Sequence, residues 1–207
     1  MPPIWRTIGL PEVRPADAQP VDTEFDWLTG VYNRPTLLAM LFRETDRAQR
    51  LNTAMSLLLV DIDDFSHWNK RLGPTTCDQL LWLIAARITR LLRSYDLMGR
   101  IGGDEFLISL PGCKPENAVL LAERLRLDVF SVPFHVAGAS IRLSACFGIA
   151  ASQGRSPLVV LREAEEALQQ ARRIGPESIQ IFDQPESPAH TPVTIFSPSG
   201  GDEYLGS

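Results

Sequence analysis

Between residues 35 and 182 the apolar positions alternate between two spacings. Leu37, Leu38, Leu41 and Phe42 recur at helical intervals, and Pro35 stands where a first turn accepts proline, which predicts a helix over 35–51. Residues 55–60 are almost continuously apolar, as in a strand buried on both faces. Leu80, Leu81, Leu83, Ile84, Ile88, Leu91 and Leu92 predict a long helix over 75–93. Strands at 97–101 and 106–110 flank Gly102-Gly103 as a hairpin. A helix over 116–130 follows, then a turn at Ala137-Gly138, a strand over 141–150, a helix over 157–173 and a short strand at 178–182. This order predicts an α/β fold, a sandwich in which helices flank one mixed β-sheet. No internal repeat interrupts it.

The flanks differ from this core. Residues 1–22 carry Pro2, Pro3, Pro11, Pro15 and Pro20 with little apolar periodicity and read as an irregular arm. Residues 184–207 are rich in Pro, Ser and Gly and read as a disordered tail containing one short apolar run, Val193-Thr194-Ile195-Phe196. A single domain over 23–183 is therefore expected within the 207 residues.

Composition narrows the functional classes. A net charge of −5 gives no general basis for nucleic-acid binding. The three cysteines, Cys77, Cys113 and Cys146, have no Cys-x-x-Cys spacing, so neither a disulfide framework nor a zinc site is expected. No apolar run reaches membrane-spanning length and residues 1–20 lack a signal-peptide core, so a cytoplasmic location is expected. Among the 20 basic residues only Lys70 and Lys114 are lysine; the arginine bias suits bidentate phosphate recognition.

Two acidic segments carry candidate chemistry. Arg100-Ile101-Gly102-Gly103-Asp104-Glu105-Phe106 places two carboxylates at the tip of the hairpin. The glycines are expected to supply positive φ and to let a bulky ligand approach the main chain. Asp61-Ile62-Asp63-Asp64-Phe65 follows the buried strand at 55–60, where α/β sheets hold ligands. The competing reading is that these acids open a solvated loop or cap the next helix. If the two strands are neighbours, Asp61 and Asp104 converge and form a magnesium site with substrate phosphates.

Gly102-Gly103-Asp104-Glu105-Phe106 resembles the signature of the GGDEF family, the bacterial diguanylate cyclases. The likeness extends along the chain. Asp26-Trp27-Leu28-Thr29-Gly30-Val31-Tyr32-Asn33-Arg34 resembles the family's entry motif, and Asp61-x-Asp63-x-Phe65 its metal-binding segment. Asn69, Gly73 and Asp78 have the spacing of its guanine-binding stretch, and residues 164–175 are similar to its closing helix. The resemblance implies a ferredoxin-like, palm-type sheet as in nucleotide cyclases. It implies Mg²⁺, or alternatively Mn²⁺, held by Asp61, the Ile62 carbonyl and Asp104. Asp104 or Glu105 would assist deprotonation of a ribose 3′-OH. Substrate contacts fall to Phe65, Ser66 and Arg172, and guanine recognition to Asn69 and Asp78. A carboxylate accepts from guanine N1–H and N2–H, which adenine cannot match. Arg93 and Asp96 match the family's Arg-x-x-Asp inhibitory product site. Local readings compete: Asp78 as a first-turn acid, Asn69 as a turn residue, Arg93 as a helix-end arginine.

The implied function is condensation of two GTP into cyclic di-GMP and pyrophosphate by a homodimer, with GTP and cyclic di-GMP as ligands. Four departures from the family pattern matter: Ser66 and Arg172 where lysine is usual, Pro74 to Cys77 at a helix start, and Gly175-Pro176-Glu177 after the closing helix. Each lost charge-assisted contact removes roughly 1.5–3 kcal/mol of binding. The alternative is therefore a weakened domain that binds GTP or cyclic di-GMP and acts through a protein partner. A polymerase-palm or purine nucleotide cyclase relative shares the two-metal chemistry but leaves the glycine turn unexplained. His67, His135 and His190 form no cluster, and Trp27, Trp68 and Trp82 are expected to pack.

Overall fold

Helix starts follow from local chemistry. In the computed structural model, which describes residues 24–182, Asn33 caps the first helix by accepting from Thr36 N at 3.0 Å, with proline just inside the first turn. Asn52 closes that helix in the left-handed region at φ 49°. The arm at 1–22, the tail at 184–207 and its apolar run at 193–196 lie outside the described residues.

The elements are β1 (Tyr32–Asn33), α1 (Arg34–Leu51), β2 (Met55–Ile62), α2 (Phe65–Leu72), α3 (Pro74–Leu91), β3 (Leu97–Arg100) and β4 (Glu105–Pro111). They continue as α4 (Pro115–Leu125), β5 (Phe134–Val136), β6 (Ala139–Ile141), β7 (Ala145–Ala151), α5 (Pro157–Ile174) and β8 (Ile179–Ile181). The main sheet has the order β1-β3-β4-β2-β7-β8, with β2 antiparallel to both β4 and β7, and parallel pairs at the two edges. This is the expected mixed α/β sheet.

Strand parity divides the core. Leu58, Val60 and Ile62 face α3 and α4, where they pack with Leu80, Ile84, Ile88, Ala118 and Ala122. Met55, Leu57 and Leu59 face α1 and α5, against Leu37, Leu41, Ala164 and Leu168. By the same parity Asp61 emerges on the α5 side. Along β7, Cys146, Gly148 and Ala150 are small, so α5 lies very close. A Cβ on Gly148 would stand 2.4 Å from both the Ala164 carbonyl and the Leu168 nitrogen. Small residues on strand and helix thus set where the end of α5 is delivered.

Several expected elements differ. A separate helix, α2, begins after Asp64, which is itself left-handed at φ 52°. It is short and buries only Phe65, so its apolar signal is faint. The expected strand over 141–150 is split: Ile141 ends a small β5–β6 hairpin turning at Ala137-Gly138, and β7 starts at Ala145. The helix expected over 116–130 ends as α4 at Leu125 and continues as one π-helical turn, Arg126–Phe130. Trp68 packs against the core as expected, but Trp27 is 65% exposed. The entry turn buries Thr29 and Val31 and leaves Trp27 outside.

Candidate active site

Antiparallel register brings the acids together at one end of the sheet. Asp61, the penultimate residue of β2, stands directly opposite Glu105, the first residue of β4. Like charges in that position repel. Arg172, in the last turn of α5, lies between them. Its Nε donates to Asp61 Oδ1 at 2.9 Å, and its Nη2 lies 2.5 Å from Asp61 Oδ2 and 2.6 Å from Glu105 Oε1. Burial pushes the Asp61 carboxyl up to about 6, even though Arg172 pulls it down by hydrogen bond and charge.

Asp104 converges on Asp61 closely enough for its charge to raise the Asp61 carboxyl, but the residue directly opposite Asp61 in the ladder is Glu105. Asp104 lies one residue outside the ladder, where its carbonyl accepts from Ile62 N at 3.4 Å. Its carboxyl is also raised, first by burial and further by Glu105. Asp104 and the Ile62 main chain therefore border the pair.

The glycine turn works differently from the expectation. Neither Gly102 nor Gly103 has a positive φ. A Cβ on Gly102 would meet Glu105 Oε2 at 2.9 Å, whereas one on Gly103 would meet nothing within 4 Å. The first glycine makes room for the acid; the second leaves open space beside it. Ile101 N closes the turn on Glu105 O at 3.0 Å.

Two positioning residues were not singled out by the sequence reading. Arg100 donates from Nε and Nη2 to the Gly103 carbonyl at 3.1 and 2.6 Å, while its Nη1 lies 3.3 Å from Asp26 Oδ1. The same Asp26 oxygen accepts from Thr29 N and Oγ1 at 2.9 and 2.5 Å. The entry motif is thus tied to the acidic turn, and the signal was an arginine flanking the glycines with an acid opening the motif. Asp63 accepts from Glu177 N at 3.1 Å, fastening the end of β2 to the loop after α5.

The remaining candidates lie apart from this trio. Phe65 is buried in the main core, and Ser66 is exposed in the first turn of α2. Asn69 is exposed on α2 and Asp78 half-buried on α3. The two helices meet at Gly73, φ 79°, whose N–H closes α2 on Asn69 O at 3.0 Å. Pro74 starts α3 without disruption, and Cys77 is buried in the core. Arg93 and Asp96 form a turn between α3 and β3. Asp96 Oδ2 accepts from Arg93 N at 2.8 Å, and Arg93 Nη1 donates to the Tyr95 hydroxyl at 3.0 Å.

The donors at the Asp61 end are hard oxygens gathered where a cation is already required, since a guanidinium occupies the gap between two facing carboxylates. That set suits Mg²⁺, which takes one or two carboxylates and completes its shell from phosphates and water. Among the described residues, no group of three or more His, Cys, Asp or Glu forms a metal site by itself. Among them also, no helix is long and apolar enough to cross a membrane.

The helix-flanked mixed sheet with paired acids beside a glycine hairpin finds its place by comparison with known proteins. The family described as "Diguanylate cyclase, GGDEF domain" matches residues 23–178, and the chain belongs to that family. It is 34% identical over 157 residues to diguanylate cyclase DgcP of Pseudomonas aeruginosa, covering 75% of this chain and 23% of that protein. It is 33% identical over 158 residues to the response regulator PleD of Caulobacter vibrioides, covering 74% of this chain and 35% of that one. The chain thus spans about a quarter to a third of these relatives. Among solved structures, the GGDEF domain of YfiN (TpbB) from Pseudomonas aeruginosa is similar, with a TM-score of 0.74, 30% identity and coverage of 77% and 94% of the two chains. The GGDEF domain of DgcB from Caulobacter crescentus, solved in complex with c-di-GMP, has a TM-score of 0.75 at 25% identity, covering 81% of this chain and all (100%) of that one.

Proposed function

We propose that this domain condenses two GTP molecules into cyclic di-GMP with release of two pyrophosphates. The observation that carries the reading is the convergence of Asp61, Glu105 and Arg172 beside the open Gly103 turn. Asp61, the Ile62 carbonyl and Asp104 are the residues that would hold Mg²⁺ or Mn²⁺. Such an ion supplies charge neutralisation for the triphosphate and eases ionisation of the attacking hydroxyl.

The chain's own groups do the rest. Glu105 or Asp104 takes the proton of the ribose 3′-OH, and burial raises the Asp104 carboxyl, the direction that strengthens a proton acceptor. Arg172 pairs with phosphate through its planar fork. Asp78 accepts from guanine N1–H and N2–H while Asn69 pairs with O6 or N3, which sets GTP above ATP. Each 3′-OH attacks the α-phosphate of the other nucleotide, so two copies of the domain face each other as a homodimer. Arg93, exposed, and Asp96, half-buried, bind the product at the turn between α3 and β3 and restrain turnover.

One observation favours a second reading, a GTP- or cyclic di-GMP-binding effector that acts on a protein partner. Ser66 stands exposed where a phosphate-facing cation is usual, and the loop after α5 presents Glu177, an acid. Incubation of the purified protein with GTP and Mg²⁺, followed by chromatography, separates the two. Cyclic di-GMP is the expected product. GTP bound and recovered intact would replace the cyclase with the effector.

A further inference from the structure

We propose that Arg172 is a built-in counter-ion at the cation site, so that a divalent metal enters together with a phosphate that draws the guanidinium away. The inference deepens the cyclase reading and rests on its placement of the metal at Asp61 and the neighbouring acids.

The geometry defines a competition. Asp61 and Glu105 face each other in register, and one guanidinium satisfies both, at 2.9 and 2.5 Å to Asp61 and 2.6 Å to Glu105. A cation coordinated by Asp61 would stand against the positive charge of Arg172, and two cations cannot share the gap. The same fork that matches a carboxylate also matches a phosphate. A metal–triphosphate complex therefore offers Arg172 a new partner while the metal takes over the acids. A bare metal ion offers Arg172 none. The side chain is placed to make this exchange: Arg172 is 41% exposed, whereas Asp61 beneath it is 12% exposed. It projects from the last turn of α5, which ends at Gly175. Metal and nucleotide binding are thus coupled more strongly than direct metal–phosphate contact alone would make them, and that added coupling runs through one residue. Lysine, a point charge, would engage one acid at a time and couple more weakly.

Manganese titration followed by electron paramagnetic resonance reads the free ion directly, without turnover. Wild type, Arg172→Gln and Arg172→Lys are titrated first without nucleotide, then with a non-hydrolysable GTP analogue. Without nucleotide, Arg172→Gln should bind Mn²⁺ about tenfold more tightly than wild type, with Arg172→Lys between them. The analogue should raise the wild-type affinity by a factor about tenfold larger than it raises that of Arg172→Gln. Should Arg172→Gln fail to fold, the ordering of wild type and Arg172→Lys carries the test. Equal or weaker Mn²⁺ binding by the variants, with analogue coupling intact, would overturn the counter-ion role while leaving the site in place. Absence of Mn²⁺ binding by wild type even with the analogue would overturn both.

Discussion

Arg172 and Arg93 each sit beside acids within a few residues of a helix end, yet the two arrangements are built for different work. Arg172 is delivered by a helix packed close on β7, and it bridges carboxylates from two strands, one of them buried. Its partners are far apart in sequence, so its position depends on the whole fold. Arg93 belongs to a local turn: Asp96 holds its backbone, and its guanidinium leans on the exposed ring of Tyr95. Exposed interactions of this kind contribute little to stability, so the turn can exchange Tyr95 for a ligand at low cost. The charge-organising site is embedded in the tertiary structure; the site proposed to bind product is carried by four consecutive residues.

Variants that separate the two regions sharpen this contrast. The largest effect is expected for Gly148→Val, whose side chain would overlap the main chain of α5. A loss of more than about 3 kcal/mol is expected, seen as collapse of cooperative thermal unfolding, and the Asp61–Arg172 contact goes with it. An unchanged melting temperature would show that α5 does not need this close seat.

Asp78→Ala comes next. It should weaken GTP binding by roughly ten- to a hundredfold in calorimetry, as for loss of charge-assisted hydrogen bonds, and leave cyclic di-GMP binding unchanged. Equal loss of both ligands would make Asp78 a structural residue of α3. Arg93→Ala should do the reverse, removing cyclic di-GMP affinity and raising product yield while leaving the melting temperature and initial rate unaltered. Undiminished product affinity in this variant would return Arg93 to an ordinary helix-end role. The smallest effect is expected for Tyr95→Phe, which frees the Arg93 guanidinium from an internal partner. Cyclic di-GMP should bind about twofold more tightly, since the lost contact is exposed.

In the sequence the first region is legible in composition, and the second in its residues and its place just before the hairpin. The apolar run ending in Asp61 and the glycine hairpin ending in Glu105 were readable as strands that carry acids, and their mixed sheet follows from the element order. Their pairing was not readable. Which acid opposes Asp61 depends on a one-residue choice of register, and a four-residue connection, 101–104, places Glu105 rather than Asp104 in the ladder. The role of the glycines was misplaced for a related reason: their need is space for Glu105 and for the open side of the turn, which no local pattern announces. The helix α2 and the β5–β6 hairpin were missed because eight polar-rich residues and two strands of three residues carry too little periodicity. The Arg93–Asp96 turn, closed by hydrogen bonds within four residues, needed no tertiary information to be found.

The assignment of the acidic end of β2 and β4 as a GTP-condensing centre is tested most directly by measuring cyclic di-GMP formed from GTP and Mg²⁺ by wild type and Asp104→Ala side by side, with thermal unfolding of both. Asp104 lies at the edge of the ladder, half-buried, so its removal should cost little stability. The wild type should form product and the variant should be slower by at least about a hundredfold, with the same unfolding midpoint. Equal rates in the two proteins would contradict the assignment.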